Sequence, residues 1–134
     1  MSDFLAFARE TVICLFVTGC GVPVSETVAG PAAGRNWVLE SLADAPARAA
    51  FTIGFSDSGA LNGAGPCNRF TARQTAPLPW FAMEELSITG RACPEQAEET
   101  RYIEALQRMA LAEVAGTTLI LSNDDGETMV FRAR

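Results

Sequence analysis

The segment GAGPCNRF at residues 63–70 is the most informative stretch of this chain, and the segment RACP at residues 91–94 completes the pattern. In the first segment, two glycines precede Cys67 and a strand-like run, which is typical of a bulge or a close backbone approach. In the second segment, Cys93 comes directly before Pro94, a residue that suits the first position of a helix. The two cysteines therefore mark a strand start and a helix start, and they suggest one clasped domain.

The composition limits the chain to one core and disfavours several classes of function. The 134 residues are 49% hydrophobic and carry a formal net charge of -6, which suits a single domain. All ten basic residues are arginine, and histidine is absent. An acidic chain without a basic stripe is a poor nucleic-acid binder, and a chain without histidine lacks the usual general base and metal ligand. We therefore predict a protein that is not an enzyme, with no catalytic residue, metal, cofactor or nucleic-acid partner.

The amino-terminal residues 1–19 resemble a lipoprotein signal peptide. The apolar run VICLFV at residues 12–17 is far too short for a transmembrane helix, which needs about 20 residues. It leads into VTGC at residues 17–20, which resembles the bacterial lipobox. This resemblance implies cleavage before Cys20, lipidation of that cysteine and retention in the cell envelope. Because Gly21 rather than aspartate follows, the resemblance favours the outer membrane, with the protein facing the periplasm.

Two features of the leader leave an alternative open. Asp3 and Glu10 outnumber Arg9, so the expected positive end of a signal peptide is weak, and the apolar run is short for a signal core. A buried amino-terminal helix of a soluble protein would show the same features. Residues 20–35 contain scattered prolines and glycines without helix or strand periodicity, so we predict a tether there.

Residues 36–134 are predicted to form the folded domain, which consists mostly of strands. Alternating apolar residues and turn signals predict strands over residues 37–42, 51–56, 60–65, 68–74 and 80–88, and a closing hairpin over residues 118–131. The hairpin turn contains Asp124 and Asp125, which could also suggest a calcium loop. They lack the ligand spacing of an EF-hand, and Asp-Gly is itself a common hairpin turn.

One amphipathic helix is predicted over residues 94–112. Its apolar stripe, at spacings of three and four, consists of Tyr102, Ile103, Leu106, Met109 and Ala110. Its acidic first turn, which includes Glu98 and Glu99, is interpreted as a solvated face near the positive end of the helix dipole rather than an anion-repelling surface. Glu104 and Arg108 lie four apart, which predicts an ion pair along the helix.

This order of motifs resembles the META domain family of HslJ-like bacterial proteins. The matching motifs are Trp37-x-Leu39, GxGxCNRF at residues 63–70, Thr89-x-x-Ala92-Cys93-Pro94, a helix with Ala105-Leu106, and Leu119-x-Leu121 with Phe131. The resemblance covers residues 36–132. It implies an α+β fold, a small antiparallel sheet curved into an open barrel with one amphipathic helix. Family members are often envelope lipoproteins linked to stress tolerance, secretion or motility, and the family brings no catalytic residues.

Cys67 and Cys93 are predicted to form a disulfide. If Cys14 is removed with the leader and Cys20 is lipidated, these two remain as an even pair in an oxidising compartment. Two buried free thiols are an alternative. A redox pair is a second alternative, because a helix amino terminus lowers the pKa of a thiol such as that of Cys93.

Asn68 and Arg69 are the candidates for a functional patch. The favoured interpretation is structural: Asn68 would satisfy turn amides, and Arg69 would pair with a carboxylate such as that of Glu84 or Glu85. In the functional interpretation, both side chains line an exposed patch near the bridge.

Three functions remain open on the sequence. The favoured one is a lipid-anchored, non-catalytic binding module in stress tolerance or envelope homeostasis, whose partner is an envelope protein or ligand. The alternative is a periplasmic protein inhibitor or a small-ligand-binding barrel, which an apolar cavity inside the sheet would support. A thiol oxidoreductase is the third, and its turnover would depend on Cys67 or Cys93.

Overall fold

A computed structural model describes residues 26–134, which contain two helices and nine strands: six strands lie between the helices and three follow the second helix. The helices are α1 (Ala29–Ala32) and α2 (Gln96–Arg108). The strands are β1 (Trp37–Leu42), β2 (Ala45–Pro46), β3 (Thr52–Phe55), β4 (Ala60–Ala64), β5 (Arg69–Arg73), β6 (Glu84–Ile88), β7 (Leu111–Ala115), β8 (Thr118–Ser122) and β9 (Thr128–Ala133).

The strands form one antiparallel sheet in the order β6-β5-β4-β3-β1-β9-β8-β7, and the short β2 pairs with β1. The last strand therefore lies beside the first, near the middle of the sheet, with Leu39 opposite Phe131. The two edges of the sheet approach each other where Trp80, ahead of β6, pairs with Leu111 of β7. The sheet is thus curled into a half-barrel with one main helix, which confirms the predicted α+β class.

The concave side of the sheet and α2 enclose the core. Phe51 contacts both partners of this packing: its ring centroid lies 5.5 Å from that of Phe70 in the sheet and 5.4 Å from that of Tyr102 in the helix. The alternating apolar residues of β1, β8 and β9 point the same way, and Trp37 is fully buried. Because large side chains fill the inside of the half-barrel, the ligand-carrier alternative gains no support from the interior.

Gly63 allows β4 to approach its neighbours closely, as the sequence predicted. A Cβ atom at this position would collide with the Phe70 ring and lie 2.7 Å from the Thr52 carbonyl oxygen. We expect Gly63→Ala to lower the free energy of unfolding by about 2 kcal/mol, because a packed core tolerates an added methyl group poorly. Urea denaturation measures the loss. Gly90→Ala is the matched control, since its Cβ meets nothing within 4 Å, and an equal loss in both variants would contradict this explanation.

Two predicted element boundaries were wrong because strand pairing overrides the local sequence pattern. The helix was predicted to continue to residue 112, but α2 ends at Arg108 and Leu111–Ala115 is strand β7, paired with β8. The predicted strand at residues 80–88 is regular only over Glu84–Ile88. Its first part is a loop in which the Phe81 amide donates to the Ala110 carbonyl oxygen (2.8 Å).

The helix also uses its charged residues differently from the prediction. Arg108 was predicted to pair with Glu104, but its guanidinium instead forms two hydrogen bonds with Glu127 in the β8–β9 turn, at 3.1 and 2.9 Å. This contact links the end of α2 to the terminal hairpin. The turn itself is closed by Asn123, whose side-chain oxygen accepts from the Asp125 and Glu127 amides, as expected for a turn with its own side-chain cap.

The described part of the predicted tether packs onto the domain. Val28 and Ala32 are fully buried, and the Trp37 indole N–H donates to the Ala32 carbonyl oxygen (2.9 Å). Thr27 also forms a bridge with Pro77. For residues 26–35 the prediction was therefore wrong, because small apolar residues without a clear period can still cover a core edge. No helix within residues 26–134 is long and apolar enough to cross a membrane. The predicted signal peptide and Cys20 lie outside the described residues.

Candidate functional site

The structure joins Cys67 and Cys93 by a disulfide, as predicted, with Cα atoms 5.5 Å apart. Cys67 lies in the turn between β4 and β5, and Cys93 lies just before α2. This turn is also closed by its own backbone, since the Gly65 amide donates to the Asn68 carbonyl oxygen (2.8 Å). The bridge thus connects the sheet to the amino-terminal end of the helix.

Glu99 of α2 lies beneath this turn and is only 3% exposed. Its Oε2 accepts hydrogen bonds from the backbone amides of Cys67 (2.8 Å) and Asn68 (2.7 Å). Its Oε1 accepts a third, from the side-chain amide of Asn68 (2.7 Å). The interpretation of Glu99 as part of a solvated helix face was wrong. Gly65 is required here, since a Cβ at that position would collide with the Glu99 carboxylate.

Asn68 is buried and uses its whole side-chain amide. Its Nδ2 donates to Glu99 Oε1 and to the Arg91 carbonyl oxygen (2.8 Å). Its Oδ1 accepts from the Arg91 amide (2.6 Å) and the Thr89 hydroxyl (2.8 Å). The structural interpretation was right in kind, although the one amide that Asn68 satisfies, that of Arg91, belongs to the distant 89–91 loop. Asn68, Thr89 and Glu99 are hereafter the Asn68 cluster.

Hydrogen bonding keeps the Glu99 carboxylate ionised. Burial alone raises its pKa, but the bonds from the Asn68 side chain, the Asn68 amide and the Cys67 amide outweigh burial and lower the pKa below the ordinary value of 4.5. Each of these donors prefers a charged acceptor. The Glu99 carboxylate is therefore a fixed anchor for the 67–68 turn, and both of its oxygens already accept hydrogen bonds.

This lowered pKa predicts how stability depends on pH. Because the folded pKa of Glu99 lies below the unfolded one, its contribution is complete above pH 4.5 and is lost as the pH falls through the folded pKa. At pH 7 we expect Glu99→Gln to be less stable than wild type by about 2 kcal/mol, and the difference to shrink steadily below pH 4.5. Urea denaturation from pH 7 to pH 3 measures both. Glu40 and Glu127 also have lowered pKa values, because Arg132 and Arg108 donate hydrogen bonds to them. These two carboxylates are present in both the wild type and the Glu99→Gln variant, so their titration cancels in the difference.

Two arginines stand at the surface above the Asn68 cluster. Arg69 and Arg91 line a pocket of about 380 Å³ whose floor includes Gly65, Cys67 and Asn68. Both side chains are exposed. Arg69 was predicted to pair with Glu84 or Glu85, but Glu85 pairs with Arg73 (3.5 Å). Among residues 26–134, no carboxylate forms an ion pair with Arg69 or Arg91.

The functional patch predicted at Asn68 and Arg69 is thus divided between two roles. Asn68 supports the fold, and Arg69 faces solvent together with Arg91. Arg91 was not predicted as part of the patch, because its proximity to Arg69 depends on the hydrogen bonds by which Asn68 holds the 89–91 loop. Within the described chain, no group of three or more carboxylate, thiol or imidazole side chains could hold a metal ion.

Comparison with known proteins identifies the domain family of this chain. Residues 30–134 match the family model of the META domain. The chain belongs to the META domain family. The match begins six residues before the predicted domain boundary at residue 36, which agrees with the burial of α1 in the core. No curated protein matches the chain.

Two solved structures share the fold of this META domain. The NMR structure of a protein from Burkholderia xenovorans is 23% identical, with a TM-score of 0.65, and the match covers 85% of this chain and 93% of that one. The crystal structure of a DUF4847 family protein from Bacteroides vulgatus is 13% identical, with a TM-score of 0.61, and the match covers 78% of this chain and 96% of the other. At such identities the likeness concerns the fold alone.

Proposed function

We propose that this META domain is a lipid-anchored, non-catalytic binding module of the cell envelope, acting in stress tolerance or envelope homeostasis. The Cys67–Cys93 disulfide carries the proposal, because disulfides persist in oxidising compartments and are rare in the cytosol. The lipobox-like sequence ending at Cys20 supplies the anchor. Two or more acyl chains would hold the domain stably at the membrane surface.

The non-catalytic part of the proposal is supported by the state of the polar groups near the disulfide. The side chains of Asn68 and Glu99 are buried and already occupied by internal hydrogen bonds. A general acid or base needs a polar atom directed at a substrate. Arg69 and Arg91 are the exposed groups, and a pair of guanidinium groups suits the recognition of a carboxylate or phosphate on a partner.

The anchor and the compartment are tested together by intact mass spectrometry of the protein purified from native membranes. The expected mass corresponds to residues 20–134 with acyl groups on Cys20 and two hydrogens fewer at Cys67 and Cys93. A Cys20→Ala variant should leave the membrane fraction. An unprocessed chain with reduced cysteines in the cytosol would contradict both the anchor and the compartment.

The binding face is tested by crosslinking in membranes. A photo-crosslinker at Ala64, which lines the pocket beside Arg69, should capture a partner. We expect the yield to fall by about tenfold or more in the double variant Arg69→Ala/Arg91→Ala, since arginines at interfaces are often dominant contacts. Arg101→Ala is the matched control, because Arg101 is exposed on α2 and already pairs with Glu98. An unchanged yield in the double variant would place the binding face elsewhere.

A further inference from the structure

Trp80 is a large apolar side chain that the fold exposes. It is 57% exposed, whereas Trp37 is fully buried in the core. Trp80 lies in the loop of residues 75–82 between β5 and β6, hereafter the Trp80 loop. Because an indole combines a large apolar ring with one hydrogen-bond donor, it suits a boundary between water and an apolar phase.

The Trp80 loop is held rigidly from inside the domain. The fully buried Gln74 accepts from the Ala82 amide (2.7 Å) and donates to the Ala76 carbonyl oxygen (3.1 Å), so it spans the base of the loop. On either side of Trp80, the Ala112 amide donates to Pro79 and the Phe81 amide donates to Ala110, each at 2.8 Å. The backbone that carries the exposed indole ring is therefore held in place by hydrogen bonds to the rest of the domain.

The chain also leaves the domain toward its amino terminus at this loop. The Leu78 amide donates to the Glu26 carbonyl oxygen (2.7 Å), and Thr27 forms a bridge with Pro77. Cys20 precedes Glu26 by six residues, which span about 20 Å at most when fully extended. A lipid on Cys20 would therefore keep the Trp80 loop within about 20 Å of the membrane surface.

We infer that Trp80 docks the domain onto the lipid surface, with its ring in the interfacial layer. Because the inference rests on the proposed anchor at Cys20, it specifies which face of the anchored domain meets the membrane. The nearby carboxylates of Glu26 and Glu113 keep the contact shallow and favour a zwitterionic surface over an anionic one. In this orientation the Trp80 loop faces the membrane, and β6 extends from the loop away from the membrane.

The experiment measures tryptophan quenching by brominated acyl chains. The full chain carrying Cys14→Ser, with its disulfide intact, is coupled through the Cys20 thiol to a maleimide lipid in phosphatidylcholine vesicles. We expect the emission of Trp80 to shift to shorter wavelength and to be quenched. The variant Trp80→Phe should lose the quenchable signal, because the remaining Trp37 is buried.

A second tryptophan position controls for general proximity to the membrane. Ile88 is also exposed (44%) and lies at the far end of β6, at most about 13 Å along the strand from its start. In the variant Trp80→Phe/Ile88→Trp we expect little quenching. Equal quenching at both positions, or none at Trp80, would overturn the inference. Emission from Trp80 that is already shifted and protected from acrylamide without vesicles would also overturn it, since residues 1–25 would then cover the ring.

Because the lipid is coupled chemically, the docking of Trp80 and the proposed lipidation of Cys20 are tested independently. If the native protein carries no acyl group, the anchor is refuted by mass spectrometry, while the coupled protein still measures the behaviour of Trp80. If the native protein is acylated and Trp80 is not quenched, the anchor stands and the docking face is refuted.

Discussion

The double variant Cys67→Ser/Cys93→Ser is expected to lose about 3.5 kcal/mol of stability at 25 °C. The disulfide closes a loop with a sequence separation of 26 residues, and cross-linking a loop of this size restricts the unfolded chain by about that amount. For a domain of this size the melting temperature should fall by more than about 10 °C. Thermal and urea denaturation of the oxidised wild type and the variant measure the loss.

The control for this prediction is reduction of the wild-type disulfide without mutation. Reduced wild type and the double variant should have similar stabilities, because both Cys67 and Cys93 are only partly buried and tolerate serine. The variant Cys14→Ser should retain the stability of the wild type, since Cys14 lies in the predicted signal peptide and outside the matched domain at residues 30–134. A double variant as stable as the oxidised wild type would mean that the bridge does not constrain the unfolded chain.

The second large effect is expected at Glu99. Replacement by alanine leaves the Cys67 amide, the Asn68 amide and one hydrogen of the Asn68 side chain without their acceptor. Buried donors that lose a charged partner are costly, so we expect Glu99→Ala to lower the free energy of unfolding by about 3 kcal/mol. Urea denaturation at pH 7 measures the loss.

Glu98→Ala is the matched control, because Glu98 precedes Glu99 in α2 and pairs with Arg101 near the surface (3.4 Å). Such a pair contributes about 0.5 kcal/mol or less. The losses from Glu99→Ala and from Asn68→Ala should be less than additive, since each removes the same contact. Full additivity, or a loss at Glu98 as large as that at Glu99, would contradict the assigned role.

The strands were largely predictable, because their residues carry the signal locally. Phe51, Ile53 and Phe55 alternate with smaller residues, and all three side chains are buried along β3 and the residue before it. The β3–β4 and β8–β9 hairpins follow turn sequences at Gly59 and Gly126, both of which have positive φ. Here local preference and tertiary packing require the same structure.

The Asn68 cluster could not be predicted in the same way. Glu99 occupies a helix position that looks like an ordinary acidic first turn, and its partners lie about 31 residues away in the sequence. Glu99 is buried by the 67–68 turn, whose backbone amides need an acceptor once the sheet has formed. One signal was available: Gly65 and Asn68 flank Cys67, so a tight turn beside a helix start was expected, although its acceptor was not.

The errors in element boundaries have a related cause. Leu111 and Ala112 are compatible with a helix continuing past Arg108, and the choice is made by pairing with β8 and by the Ala112 hydrogen bond to Pro79. The burial of Val28 and Ala32 likewise depends on the site they cover. Sequence periodicity does not report such contacts, since each involves residues that are far apart along the chain.

The position of β9 has a consequence for folding during synthesis of the protein. Thr128–Ala133 is the strand that joins the half of the sheet begun by β1 to the β7–β8 hairpin. A nascent chain that has not yet released these last residues cannot close its sheet. Assembly of this kind is slow because it depends on distant pairings, and it delays closure of the half-barrel until the last residues have left the ribosome.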